Sequence, residues 1–289
     1  MNAAPATGPF FQRYADGHRF CFFHAPAGVD GRARGCVLAV HAFAEEMNKT
    51  RAAAADGARA LAAAGFAVLQ IDLLGCGDST GDFEDATWEG WLADLADGWA
   101  WLQAHAPGPR WVWGTRFGAL LADQFASRCV PGADGLLLWQ PVVNGAQHLG
   151  QFLRLKTVNS LLREATMQPA GTPADRVAQP SPRADLAAGR AVEVAGYRLT
   201  PQLADAMEGA RLGSPAAGAA WTPPRVRWFE VASQPDASLN PVAAKLVDRW
   251  RAMGSDVAIA HVVGSAFWQT LEIERCDPLV DATVEALSA

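Results

Sequence analysis

Cys36-Val37-Leu38-Ala39-Val40-His41 leads into a loop as far as Lys49, an alanine-rich run from Thr50 to Ala64, Gly65, and then Phe66-Ala67-Val68-Leu69-Gln70-Ile71-Asp72. The two outer segments are continuous apolar runs, the pattern of strands buried on both faces. The middle segment reads as a helix closed by a C-terminal glycine. Strand, helix and strand in this order make a parallel βαβ unit. The alternation extends in both directions. Strands are expected at Phe10 to Tyr14 and Arg19 to His24. Downstream come a helix from Trp88 to His105, a strand at Trp111 to Gly114, a helix from Phe117 to Arg128, and a strand at Gly135 to Gln140 that Pro141 ends. The prediction is an α/β fold: a doubly wound, mostly parallel sheet with helices on both faces.

The alternation breaks between Asn144 and Pro224. Leu149, Phe152, Leu153, Leu155, Val158, Leu161 and Leu162 form the apolar stripe of an amphipathic helix. A stretch rich in proline, alanine and glycine follows, then a hairpin or a single strand at Ala191 to Leu199 and a helix from Gln202 to Arg211. The α/β pattern resumes with a strand at Arg225 to Val231, a helix from Pro241 to Met253, a strand at Asp256 to Val263 and a helix from Pro278 to Leu287. The chain is therefore expected to divide into a core, 1–143, a cap inserted after the sixth strand, 144–224, and the rest of the core, 225–289.

Composition excludes several classes. A chain of 289 residues, 50% hydrophobic, buries a large core without staples. A net charge of −6 gives no basic footprint for nucleic acid. No apolar run reaches the ~18–20 residues of a membrane span, and the first residues lack the basic and then apolar layout of a signal peptide. Membrane association is not expected, so the leucine stripe is read as cap core, packed on the body or on a second copy in a homodimer. The five cysteines are scattered, which argues against a disulfide framework or zinc cluster and for a cytoplasmic setting. No phosphate loop, dinucleotide fingerprint or metal-ligand spacing occurs, so no cofactor is expected.

In such sheets ligands lie beyond the carboxyl ends of the strands. The residues there are His41 to Lys49, Asp72 to Gly81, Gly114-Thr115-Arg116-Phe117-Gly118, and Trp139-Gln140-Pro141. The His-x-Phe turn, the Asp-x-x-Gly-x-Gly-x-Ser loop, the Gly-x-x-x-Gly elbow and the cap resemble the α/β-hydrolase superfamily over nearly the whole chain. That resemblance implies a serine at the centre of the elbow, an acid after the strand at Arg225 to Val231, and a histidine after the last strand. Arg116 stands in the serine's place, and a guanidinium has no lone pair with which to attack an acyl carbon. Asp236 fits the acid. Ala266 stands where the histidine falls, and His261 comes several residues too early. The Ser-His mechanism is not predicted.

Longer strings narrow the resemblance. Phe43-Ala44-Glu45-Glu46-Met47-Asn48-Lys49, Gly75-Cys76-Gly77-Asp78-Ser79, Leu138-Trp139-Gln140-Pro141 and Phe267-Trp268-Gln269-Thr270 resemble the type 2 group of exosortase A system-associated hydrolases. This resemblance implies a place in bacterial exopolysaccharide production and in sorting proteins with a C-terminal anchor signal. It also implies that the elbow arginine is a trait of the group. Ala42 stands where that group's pattern has proline.

The candidate residues each admit two readings. Arg116 either pairs with Glu45 or Glu46, or forks onto an anionic ligand at a helix N-terminus, and the two are compatible. Glu45 and Glu46 are an acid and base, or one is the arginine's partner and the other sits at a helix N-terminus. Asn48 is expected to N-cap a helix that begins near Lys49 or Thr50. Cys76 is the residue near the site with intrinsic nucleophilicity, activated by Arg116 or Lys49, or it simply fills a tight turn. Asp78 and Ser79 brace that turn. His41 orients its loop, or serves as a base. Trp139, Gln140 and Trp268 border the mouth of the site, facing a sugar or amide, or pack beneath the cap. Three functions follow. One is a hydrolase or acyltransferase with a non-standard nucleophile. Another is a pseudo-hydrolase holding an anionic or glycan-derived small molecule, or a partner's carboxylate, through Arg116. The third is a structural subunit of the polysaccharide machinery.

Overall fold

The structure, a computed structural model, describes residues 5–28, 33–129, 132–167, 181–214, 221–234, 238–270 and 272–289, with backbone alone over 157–167. In chain order its strands are β1 (Gly8–Tyr14), β2 (Gly17–His24), β3 (Gly35–Val40), β4 (Phe66–Ile71), β5 (Arg110–Thr115), β6 (Gly135–Trp139), β7 (Val192–Val194), β8 (Tyr197–Leu199), β9 (Arg225–Ala232) and β10 (Asp256–Val263). Eight of them form one sheet in the order β1-β2-β4-β3-β5-β6-β9-β10. From β4 to β10 neighbours run parallel, and the β1–β2 hairpin joins β4 antiparallel. This is the mostly parallel sheet of an α/β-hydrolase fold.

The apolar runs behave as their period requires. β3, at the centre, is buried at every position. Its Val37 and Ala39 face a layer made by α1 (Glu45–Ala63) and α8 (Asp277–Ser288). Its Leu38 and Val40 face the opposite layer, made by α2 (Trp88–His105), α3 (Gly118–Ala126) and α7 (Pro241–Ala252). Most of the tryptophans fill these two layers rather than a surface. Trp113 and Trp139 meet edge to face, with ring centres 4.5 Å apart, on the α1 side, and Trp91, Trp99, Trp228 and Trp250 are buried on the other.

Between β6 and β9 run α4 (Gly145–Met167), α5 (Pro182–Ala187), the β7–β8 hairpin and α6 (Pro201–Gly209). The stem of this segment is stitched shut, with Gly145 N–H donating to Ala210 O at 3.0 Å and Leu212 N–H to Val143 O at 3.1 Å. Leu149, Phe152 and Leu153 of α4 are buried in the core on the α2–α3 side, whereas Leu155 is exposed. Val158, Leu161 and Leu162 lie outside the described side chains. Among the described residues no helix is long and apolar enough to cross a membrane.

One buried carboxyl ties this segment to the body. Asp123 of α3 accepts the Gly213 N–H at 2.7 Å, and Arg249 of α7 donates to the Gly213 carbonyl at 2.5 Å. Burial pushes the Asp123 carboxyl up to about 7. Its folded pKa thus lies above its unfolded value. The contribution is fully present below the unfolded pKa of ~3.9 and is lost as pH rises through about 7. Asp123→Asn should therefore gain on the wild type by on the order of a few kcal/mol between pH 4 and pH 8. Denaturant unfolding at both pH values checks this. A wild-type-minus-variant difference that does not change with pH would contradict it.

Candidate functional site

The elbow forms where β5 passes into α3. Arg116 adopts φ +54°, a left-handed conformation that a side-chain-bearing residue takes only when its surroundings force it. Two glycines make the turn passable. A Cβ on Gly114 would stand 2.4 Å from Ala119 Cα, and one on Gly118 would stand 2.3 Å from the His41 carbonyl oxygen. The strand, the helix and the end of β3 therefore close on one another with no room for a methyl group. Arg116 N–H donates to Trp139 O at 2.9 Å, and its carbonyl accepts from Ala119 and Val142 N–H at 3.1 Å each. This is the strained strand-to-helix turn that exposes a nucleophile in hydrolases, here carrying a guanidinium.

The guanidinium is held on several sides. Nε and Nη2 fork onto the two oxygens of Glu46 at 3.2 and 3.0 Å. Nη1 donates to the Gln140 carbonyl at 3.2 Å, and the plane lies 4.8 Å from the Trp268 ring centre. Both side chains of the pair are only 11% exposed, and a two-point fork of this kind fixes orientation as well as charge. Gln140, itself at φ +43°, passes the network on: its Nε2 donates to Glu230 Oε2 at 2.8 Å, and its Oε1 accepts the Val231 N–H. Trp228 Nε1 donates to the other Glu230 oxygen at 2.8 Å. Burial pushes the Glu230 carboxyl up despite these donors.

A family model described as serine aminopeptidase, S33 (Hydrolase_4) matches residues 31–210, which holds the strands from β3 to β8 and the elbow. The chain belongs to this family. Among solved structures, the S33-type chain is similar to Est1E from Butyrivibrio proteoclasticus with ferulic acid bound, at 14% identity and a TM-score of 0.59 over 96% of this chain and 97% of that one. It is also similar to a soluble variant of monoglyceride lipase from Saccharomyces cerevisiae bound to a substrate analogue, at 13% identity and 0.58 over 99% and 96%. A third is a serine hydrolase without a lid from Xanthomonas campestris, at 14% identity and 0.54 over 98% and 92%. At these identities the likeness is one of fold. No curated relative matches the sequence.

Within this S33-family frame several expectations need correction. Helix α1 begins at Glu45, not near Thr50, so Glu45, Glu46, Asn48 and Lys49 lie in its first turns, where the helix dipole favours the two glutamates. Asn48 is therefore not an N-cap. The cap position is Ala44, at φ 51°, and Asn48 Nδ2 instead donates to the Tyr197 hydroxyl at 3.1 Å. Lys49 is exposed. Glu45 does not share the arginine. Its Oε2 is buried without a partner, and burial pushes its carboxyl up. Trp139 does not border a mouth: it is fully buried on the α1–α8 side, donating to Thr283 Oγ1 at 2.9 Å. Trp268 is buried as well, against Arg116.

The Arg51 charge acts on the Cys76 thiol but is outweighed. Cys76 is 6% exposed, and burial together with the Asp72 and Asp94 carboxylates pushes its thiol well above the ordinary range. A neutral thiol is a poor nucleophile, which argues against the catalytic reading. In the folded protein at neutral pH, Cys76 should resist iodoacetamide and react only on unfolding. Peptide mapping after brief treatment tests this, and rapid, selective alkylation of Cys76 would contradict it. His41 Nδ1 meets the Ala42 carbonyl at 2.7 Å and Nε2 accepts from Leu73 N–H at 3.4 Å, while burial lowers its pKa. A neutral imidazole joining two loops suits an orienting role. Asp78 braces the turn through its N–H, bonded to Asp72 Oδ2 at 3.1 Å, and Ser79 through Oγ, bonded to the Asp72 carbonyl. Asp236 lies outside the described residues. Ala266 is half-buried before Phe267, and His261 is exposed on β10 opposite Glu230 of β9.

Sequence reasoning passed over two residues beside the elbow. Glu230 is one, an acid near the carboxyl end of β9 that follows Trp228 and Phe229. The other is His148 of α4, whose ring stacks on Phe117 at 5.2 Å and lies edge-on to Phe43 at 5.9 Å. Burial, helped by the nearby Arg116 charge, lowers its pKa to about 3, and its Nδ1 has no partner. The signal was a polar residue one turn ahead of Phe152 on a helix otherwise read for its leucines.

Proposed function

We propose that this S33-family chain is a pseudo-hydrolase: it keeps the hydrolase frame and has given up serine chemistry. The observation that carries the reading is Arg116 in the nucleophile's place, forked onto Glu46 and stacked on Trp268. The fork neutralises the charge and occupies the space where a tetrahedral intermediate would have to form. Ala266 in the histidine's place adds to this, since even a serine at the elbow would lack its base. Segment 144–224 acts as a cap, its His148 and Phe152 packing on Phe43 and Phe117 above the elbow. The resemblance to the type 2 exosortase-associated group supports a cytoplasmic role in exopolysaccharide production or protein sorting, performed by binding.

A second reading keeps ligand capture beside Arg116. It is favoured by Trp268 Nε1 and His148 Nδ1, two buried polar atoms without partners on side chains next to the guanidinium. Buried polar atoms are ordinarily paired, so a small polar group between cap and elbow would satisfy them. Wild-type protein and Arg116→Ser, assayed on a panel of aryl esters and thioesters, separate binding from catalysis. Both should leave every substrate unhydrolysed above background. Saturable turnover by the wild type would overturn the reading.

A further inference from the structure

Beside the elbow, with His41 and Thr115 at that end, α1 crosses the sheet over β2, β4 and β3 and leaves a cavity of ≈ 240 Å³ between them. Its origin lies in the sequence. The run Arg51-Ala52-Ala53-Ala54-Ala55 puts methyl groups where a helix normally sends leucines, so Ala54 and Ala55 do not reach the floor. That floor is aromatic, made by Phe20 and Phe22 of β2 and Trp113 of β5. Protein interiors seldom leave voids larger than a water molecule. This one has room for roughly eight waters at their liquid volume of ~30 Å³ each, yet most of its wall offers them no hydrogen bond.

The charges at its two ends are unequal. At the far end of α1, Arg59 and Arg275 share a single carboxylate, Asp56. Two guanidiniums against one carboxylate leave one positive charge there. His24, beside Arg59, is bonded to Gln70 at 2.9 Å and is kept neutral by burial and by that arginine. At the other end Arg51 is outnumbered, with Asp72 Oδ2 at 2.8 Å and Asp78 Oδ2 at 3.9 Å. Beyond Phe20, Phe11 of the edge strand packs on it at 5.6 Å and is 59% exposed, so the aromatic floor continues to the surface.

We infer that this cavity is a binding site for a small amphiphile, with an apolar body lying between Ala54 and Phe22 and a carboxylate head held at the Arg59 end. Calorimetric titration of the full chain with octanoate, and with octanol as its neutral counterpart, tests it. Octanoate should bind saturably to one site. Ala54→Leu, which fills the cavity with a good helix former, should weaken octanoate by tenfold or more. Ala55→Leu serves the same purpose if the first variant does not fold, as thermal unfolding reveals. Arg59→Gln should weaken octanoate by about tenfold while leaving octanol within about twofold. Absence of saturable octanoate binding to the wild type overturns the inference, and so does octanoate binding that the folded leucine variant leaves unchanged. Both readouts are independent of ester turnover, so this site and the pseudo-hydrolase reading stand or fall separately.

Discussion

Asp94→Ala is expected to lower the stability of the protein by ~3–5 kcal/mol, because it leaves a buried arginine without its main partner. Arg19 and Asp94 meet at 2.8 Å with side chains 2% and 3% exposed. The other Asp94 oxygen accepts the Leu74 N–H at 2.8 Å. One carboxylate thus fastens β2 to α2 and holds the loop after β4. Asp16 also pairs with Arg19 at 2.9 Å, but it is largely exposed and cannot replace a partner inside the fold. Asp94→Asn keeps an acceptor for Leu74 and loses only the charge, so it should fall between wild type and alanine. Urea midpoints rank the three proteins. A loss below about 1 kcal/mol for the alanine variant would show that Arg19 is adequately held by Asp16 and by the Tyr14 ring, whose centre lies 4.6 Å from the guanidinium carbon.

Gly118→Ala should cost ~3 kcal/mol or more, at the upper end of overpacking penalties. The new methyl group would meet the His41 and Val40 carbonyl oxygens at 2.3 and 2.6 Å. Both belong to the backbone at the end of the central strand, which cannot swing aside as a side chain would. Alanine's better helix propensity returns at most about 1 kcal/mol. Gly150→Ala in α4 is the matched control, since its Cβ would meet nothing within 4 Å, and it should be neutral or slightly stabilising. A Gly118→Ala protein as stable as the wild type would mean that the elbow does not close on β3 as described.

The sheet could be read from sequence because buried parallel strands announce themselves as unbroken apolar runs. Cys36 to Val40 and Gly135 to Trp139 needed no further help. The elbow could be read because its two glycines sit where backbone must touch backbone, and its arginine because the adjoining loop offers carboxylates, of which Glu46 takes the pair. The start of α1 could not. Asn48 looked like a cap, but tertiary packing carries the helix back to Glu45 through Ala44, a residue with no capping side chain. Trp139 and Cys76 were placed near the site by counting along the strands. For Trp139 the alternation that sends one strand residue to each face decides burial, whereas Cys76 lies in the turn after β4 and is buried by the packing of that turn on the core. The α1 cavity was invisible in sequence because it is made by what the alanines lack.

The most direct test of the elbow's chemistry is labelling of the intact protein, and of Arg116→Ser, by a fluorophosphonate probe followed by peptide mass spectrometry. With Glu46 holding the arginine and Ala266 in the histidine's place, no serine should be modified in either protein. A labelled serine in the wild type would contradict the account, because it would reveal an activated nucleophile away from Arg116.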